Sequence, residues 1–331
     1  MDFFKTAALQ NPDFVKLQKY AEGNNKLPAL VTGVSHIHKA HFIAALLTDE
    51  PTLVIAESEG EAQRLCLDIN ALLGEQSALL LPEKEFILAD AEAASREYEH
   101  KRIFALTALL YKQCRAVICS PSAAAQLTIP RGELEKRIIT ISSEDEITLE
   151  TLVSKLVASG YSRADMIEGA GQFSVRGGII DVFPPCSSAP YRIELWGDTV
   201  DSLSEFDVET QRRTASLEKI AISPARETLF DSDEILCEKI ETLAKKLRGK
   251  KADAVRQNLM DDVNRLRGGA GVHNADRYFP LCYDTEATVF DYAERVFVCE
   301  NTAVRESFRA ASLQHAEDIS ILVDEAKLCK G

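Results

Sequence analysis

The sequence predicts an α/β fold: a parallel-sheet domain assembled from two chain segments, with a small α+β domain inserted between them. Three observations lead there. Between Ala29 and Cys119, short continuous apolar runs alternate with helical stretches, the pattern of a parallel sheet covered on both faces. From about Ile138 the pattern changes to a short helix followed by short strands of period two and tight turns, which last until about Pro224. Beyond them, Arg295–Cys299 (RVFVC) is a lone apolar strand among helices, a poor domain by itself but a natural completion of the first sheet. The expected division is residues 1–133 as the first part of the split domain, 134–222 as the insert, and 223–331 as the second part.

Taken in order, residues 1–26 read as a helical lead-in, closed by Pro28. Ala29–Thr32 is the first expected strand, Gly33 opens a loop, and Ser35–Leu47 is helical. Thr52–Ala56 is the second strand. Glu59–Leu73 is amphipathic, with Ala62, Leu65, Cys66, Ile69, Leu72 and Leu73 on one face and Gly74 as its stop. Strand Ala78–Leu81, helix Ser95–Leu110 and strand Ala116–Cys119 follow. In the insert, Thr148–Ser159 is a helix turning Leu149, Leu152, Val153, Leu156 and Val157 inward, and Gly160 ends it. Residues 232–267 form two polar helices broken near Gly249, and Asn301 is placed to cap a long final helix.

The stretch Gln172–Arg213 carries the most information. In Gln172–Arg176, Phe173 and Val175 point one way, Ser174 and Arg176 the other. Gly177-Gly178 gives a bend or bulge, Ile179–Phe183 is a buried run, and Pro184-Pro185 stops it. Tyr191–Trp196 alternates again, with Arg192, Glu194 and Trp196 on the polar face; Gly197-Asp198 is a two-residue turn of the primed type, and Thr199–Leu203 returns. The chain's single Trp therefore shares a face with Arg192, and Arg176 can join them across the sheet. Trp and Arg are the residue types that most often anchor interfaces. The competing arrangement has Trp196 packed under a loop and the arginines solvated or paired with Glu194.

Composition excludes several classes. The 331 residues are 46% hydrophobic with a net charge of −14, which suits two or three globular domains and opposes strong stand-alone DNA binding. No apolar run approaches membrane-spanning length, and MDFFKTAALQNPDF lacks the basic start and apolar core of a signal peptide. The eight cysteines include no Cys-x-x-Cys pair and read as reduced thiols of a cytoplasmic protein. His36, His38 and His41 have no acidic or Cys partner at ligand spacing, so no metal is expected.

The first turn from strand to helix, Gly33-Val-Ser-His-Ile-His38-Lys39-Ala40, has the spacing of a phosphate loop, G-x-x-x-x-G-K-[ST]. Gly33 and Lys39 are in place. His38 stands where a second glycine lets backbone N–H groups curl round phosphate, and Ala40 stands where a hydroxyl would bind Mg²⁺. The loop is read as degenerate, with no cofactor and no catalytic residue.

The run RGGIIDVFPP…PYRIELWGDTVDSLSEFDVETQRR resembles a signature shared by two bacterial excision-repair families, the damage-verifying UvrB proteins and the transcription-repair coupling factors (Mfd). The similarity extends, more weakly, over nearly the whole chain. It implies that the insert is like UvrB domain 2, which binds UvrA, and that Arg176, Arg192 and Trp196 occupy partner-contact positions. UvrB keeps its phosphate loop and carries a long, tyrosine-rich hairpin after its third strand. Here the corresponding gap, Pro82–Ala94, is short and acidic, with Phe86 its lone aromatic. Both departures favour the N-terminal UvrB-like module of the coupling-factor family. That resemblance implies a non-catalytic module that recruits UvrA to transcription-stalled lesions in nucleotide excision repair. It also implies a longer parent, an ATP-driven DNA translocase that meets RNA polymerase, double-stranded DNA and ATP through domains absent here, and that masks the UvrA-binding face until the motor engages. Two alternatives stay open at this point: a UvrB-type ATP-dependent subunit, and a module that binds damaged DNA directly.

Overall fold

The computed structural model describes residues 2–23, 28–74, 76–84, 96–249, 251–269, 272, 275–325 and 327. Three strands form in the first stretch: β1 (Thr52–Ile55), β2 (Ala78–Leu81) and β3 (Ala116–Cys119). The middle stretch supplies β4 (Ile139–Ser142), β5 (Ser162–Arg163), β6 (Gln172–Arg176), β7 (Ile179–Val182), β8 (Tyr191–Trp196), β9 (Thr199–Phe206), β10 (Arg213–Leu217) and β11 (Lys219–Ile222). The last stretch supplies β12 (Arg295–Val298).

β12, β1, β3 and β2 lie side by side in that order, every pair parallel. The continuous apolar runs TLVI and AVIC are buried along their whole length, as strands covered on both faces must be. Alternation then sorts their side chains. Val54 and Ile118 face the helix Glu59–Leu73 through Ala62, Leu65 and Ile69. Leu53, Ile55, Val117 and Cys119 face the helix Glu97–Leu110 through Ala105, Leu106 and Leu109. Val289, Tyr292 and Val304, from the far end of the sequence, belong to this second core.

The middle stretch builds a six-stranded sheet in the order β10-β9-β8-β7-β6-β5, antiparallel except for the β5–β6 pair. Its apolar face packs Phe173, Ile180, Val182, Ile193, Val200 and Leu203 against Leu152 and Leu156 of the helix Leu149–Ala158. Thr148 caps that helix by accepting a hydrogen bond from the Thr151 N–H at 3.1 Å. The chain enters this region along β4 and leaves along β11, which pair antiparallel with Ile139 opposite Ile222.

Several expectations need correcting. Ala29–Thr32 forms no strand: residues 28–35 have no regular structure, and Leu30 is 84% exposed. A strand exists through the ladder it joins, and a four-residue apolar run names a candidate without supplying a neighbour. Ser35–Leu47 begins as a 3₁₀ turn, His36–His38, and turns α-helical at Lys39–Leu46. Gly177-Gly178 is a hairpin turn, with Arg176 opposite Ile179. Gly177 takes φ 61°, and a Cβ on Gly178 would sit 2.8 Å from the Leu195 carbonyl oxygen, so both positions require glycine. β9 runs on to Phe206, past Leu203. Val157 is exposed, because the sheet accepts the stripe centred on Leu152 and Leu156 and no wider one. Asn301 is the first residue of the final helix, Asn301–Asp324, while Glu300 holds the N-cap position with a left-handed φ of 49°. Ser95, Phe86 and most of Pro82–Ala94 lie outside the described residues. Among the described residues no helix is long and apolar enough to cross a membrane.

Candidate functional site

The outer face of the six-stranded sheet is where the predicted residues meet. β7 sets Asp181 between Ser174 of β6 and Arg192 of β8, and β9 sets Ser204 beyond Arg192. One row across four strands therefore reads Ser174, Asp181, Arg192, Ser204. The flanking serines are small, which leaves the guanidinium room to lie along the sheet. Arg192 donates from Nε to Asp181 Oδ1 at 2.7 Å and from Nη2 to Asp181 Oδ2 at 2.9 Å. This fork-on-carboxylate geometry is the strong, charge-assisted form of the pair. The guanidinium also lies 4.4 Å from the centre of the Phe206 ring.

Arg176 reaches the same carboxylate, donating from Nη2 to Asp181 Oδ2 at 2.9 Å. Gln211 closes the cluster from the loop after β9. Its Oε1 accepts from Arg176 Nη2 at 3.3 Å and from Arg192 Nη2 at 3.4 Å, and its backbone oxygen accepts from Arg192 Nη1 at 3.2 Å. Gln211 takes a left-handed φ of 61°, which swings both its carbonyl and its side chain over the arginines.

Trp196 ends β8 opposite Thr199, just before the Gly197-Asp198 turn, and is 84% exposed. Gly197, first of the two central residues, takes φ 64°, as the primed turn requires. Glu194 lies between Arg192 and Trp196 on that face. It accepts from Ser202 Oγ at 3.1 Å and pairs with Arg213, which holds its carboxyl below the usual range.

The structure thus brings Arg176, Arg192 and Trp196 to one face but gives them unequal exposure. The Arg176 side chain is 50% exposed, whereas that of Arg192 is 13% exposed. All three share the outer face, as the alternation predicts for Arg192 and Trp196, but Arg192 is nearly buried there. Its acidic partner is Asp181 rather than Glu194. Sequence reading missed Asp181, Gln211 and Arg213. Asp181 left a signal: a carboxylate in the middle of Ile179–Val182, opposite in parity to Ile180 and Val182, has to find a cation on the other face.

The glycine-to-lysine stretch is not a turn from strand to helix, since residues 28–35 form no strand; it leads into the helix Lys39–Leu46, whose Ala40 and Ile43 join the core of the parallel sheet. Gly33 takes φ 83°, and Ser35 Oγ and His38 Nδ1 are 2.7 Å apart. Lys39 begins its helix largely buried, with Nζ 2.9 Å from Glu300 Oε1, and Ala40 is buried behind it. His36 Nε2 lies 3.2 Å from Glu61 Oε1.

Residues 139–227 match the family model described as the UvrB interaction domain, and they include the whole six-stranded sheet and every residue of the polar cluster. The class is accordingly a UvrB interaction domain joined to a parallel α/β sheet. Over 99% of its length the chain is 31% identical to the transcription-repair-coupling factor of Bacillus subtilis (strain 168), of which it covers 29%. Over 89% of its length it is 26% identical to the transcription-repair-coupling factor of Staphylococcus aureus (strain MRSA252), of which it covers 26%. The chain is a UvrB-like module of the transcription-repair-coupling factor family, spanning less than a third of the length of these relatives.

Proposed function

We propose that this chain is the N-terminal module that recruits UvrA to lesions where transcription has stalled, through the outer face of the six-stranded sheet. The observation that carries the reading is Trp196: the chain's one Trp stands 84% exposed on the sheet face that also carries Arg176 and Arg192, inside the matched interaction domain. A large aromatic left in water on a face that also carries arginines is the composition of an interface anchor. The test is a calorimetric titration of cognate UvrA into the chain and into Arg176→Ala. Micromolar or tighter binding that weakens about 30-fold in the variant, equivalent to ~2 kcal/mol, supports the reading. Equal affinity of the two, or no binding to either, refutes it.

The same proposal makes the module non-catalytic and its phosphate loop degenerate. In support, the Lys39 ammonium that would meet a phosphate meets the Glu300 carboxylate, and His38 and Ala40 replace the glycine and the hydroxyl of an intact loop. The host is proposed as one domain split into residues 1–133 and 223–331, with 134–222 inserted as a counterpart of UvrB domain 2. The parallel pairing of β12 with β1 supports this division. ATP-driven translocation and contacts with RNA polymerase and DNA would belong to other parts of a longer, cytoplasmic parent.

A further inference from the structure

The two arginines of the polar face are bonded so differently that they cannot serve a partner in the same way. Arg192 spends Nε, Nη1 and Nη2 inside the chain, on Asp181 and Gln211, and its guanidinium lies over the Phe206 ring. Its side chain is 13% exposed. To grip a partner, it would have to release a two-point bond to a carboxylate that is itself 2% exposed, leaving a buried charge uncompensated. Among the described residues Arg176 bonds through Nη2 alone, to the same Asp181 Oδ2 and the same Gln211 Oε1, so its Nε and Nη1 have no partner there, on a side chain that is 50% exposed.

Resting on the reading that this face binds UvrA, we infer that Arg176 is the arginine that touches the partner, and that Asp181, Arg192 and Gln211 are positioning residues that hold it in place. The shared carboxylate is the central part. Arg192 fixes Asp181 from one side, and Asp181 Oδ2, with Gln211 Oε1, then fixes the angle at which Arg176 leaves the sheet. Holding a long side chain before the partner arrives lowers the ordering cost of binding, which is a gain in affinity without a contact. The matching group on the partner is an acidic side chain, placed to meet Nε and Nη1 of Arg176. Arg213, 50% exposed and paired with Glu194, provides a second cation on the same face.

The experiment has two readouts. The first is a double-mutant cycle in UvrA titrations with Asp181→Asn, Gln211→Gly and Arg176→Ala. Gln211→Gly removes the amide while keeping a residue that accepts the left-handed backbone, so it guards against a general folding defect in Asp181→Asn. Positioning predicts that each supporting variant alone weakens binding about 5- to 10-fold, and that neither weakens it further once Arg176 is Ala. The second readout is nitrogen-15 relaxation of the arginine Nε–H groups in the free chain: that of Arg176 should be ordered in the native chain and mobile in Asp181→Asn. Full additivity in the cycle, or an Arg176 side chain whose order does not change in Asp181→Asn, overturns the positioning role. If Arg176→Ala itself binds UvrA as the native chain does, the partner reading falls, and the contact role of Arg176 falls with it. A loss in Arg176→Ala that comes with unchanged binding by both supporting variants overturns the positioning role and leaves the partner reading standing.

Discussion

Arg102 donates from Nε to Glu227 Oε1 at 2.5 Å, across 125 positions of sequence, with both side chains essentially out of water. Arg102 belongs to the helix Glu97–Leu110 that covers the parallel sheet, while Glu227 is the last residue of the matched interaction domain. Lys84 Nζ, 3.4 Å away, and Thr128 Oγ1, which donates at 2.8 Å, complete the carboxylate's surroundings. Tyr283 donates to the Glu227 backbone oxygen at 2.6 Å. Burial alone would push the Glu227 carboxyl up, but the charges of Arg102 and Lys84 and the hydrogen bonds of Arg102 and Thr128 outweigh it and hold the group at about 2.

That depressed value sets a prediction for acid stability. A carboxylate with a lowered folded pKa contributes stability that is complete above its unfolded value, near 4.3 for Glu, and is lost as pH falls from there toward 2. Glu227→Gln leaves the Arg102 and Lys84 cations buried without a counter-charge and should cost about 3 kcal/mol or more at neutral pH. Thermal melts of the native chain and of Glu227→Gln between pH 2 and 7 should show a large gap at pH 7 that narrows below pH 4. A constant gap across that range would mean that the pair contributes no proton linkage.

Nucleotide binding should be absent in any useful range. With Lys39 held by Glu300, and with His38 and Ala40 in the loop, the expected dissociation constant for Mg²⁺-ATP is weaker than about 1 mM, less than roughly 4 kcal/mol of binding. Glu300→Gln frees the Lys39 ammonium yet restores neither the glycine nor the hydroxyl, so it should not create a site. Calorimetry that finds micromolar, Mg²⁺-dependent binding by the native chain would reverse the reading of the loop.

Truncation tests how the chain is divided. A fragment ending at residue 133 loses β12 and bares the β1 edge; it also loses Val289, Tyr292 and Val304 from the core around Leu53 and Leu106. An open parallel edge beside an exposed apolar core is an aggregation template. We expect light scattering to show association of the 1–133 fragment and no sharp melt. Removing residues 134–222 behind a short linker should leave a soluble unit that melts cooperatively. A monomeric 1–133 fragment with a cooperative transition would show that the last segment is dispensable.

The parallel sheet was legible in the sequence because its central strands, β1 and β3, are buried on both faces. Ala78–Leu81 and Ala116–Cys119 are continuous apolar runs between polar helices, and they form with the expected bounds. The Ala29–Thr32 run carries the same signal and forms nothing, because an apolar run does not state its neighbour. On the polar face, period two correctly put Arg192 and Trp196 together. It could not show that Asp181 stands beside Arg192, since that depends on the register of β7 with β8, two strands joined through residues 183–190 and brought together where Gly178 approaches Leu195. The exposure of Trp196 and the near-burial of Arg192 follow from where the sheet ends and where the Gln211 loop folds back, and neither is a property of local pattern.

The unequal burial of the three residues separates binding from folding. Trp196 is 84% exposed, so Trp196→Ala should melt with the native chain while losing UvrA affinity by about 30-fold, or ~2 kcal/mol. Arg192→Ala should lower the melting temperature as well as the affinity, because it strips the buried Asp181 of its two-point partner. Arg192→Lys should rescue little of either, since an ammonium cannot reproduce the fork on the carboxylate or the guanidinium's contact with the Phe206 ring. Glu194→Ala releases Arg213 on a solvated part of the face and should change affinity by less than about 1 kcal/mol. Melting curves by circular dichroism beside calorimetric titrations with UvrA check all four. A lowered melting temperature in Trp196→Ala, or an unchanged one in Arg192→Ala, would contradict this division of roles.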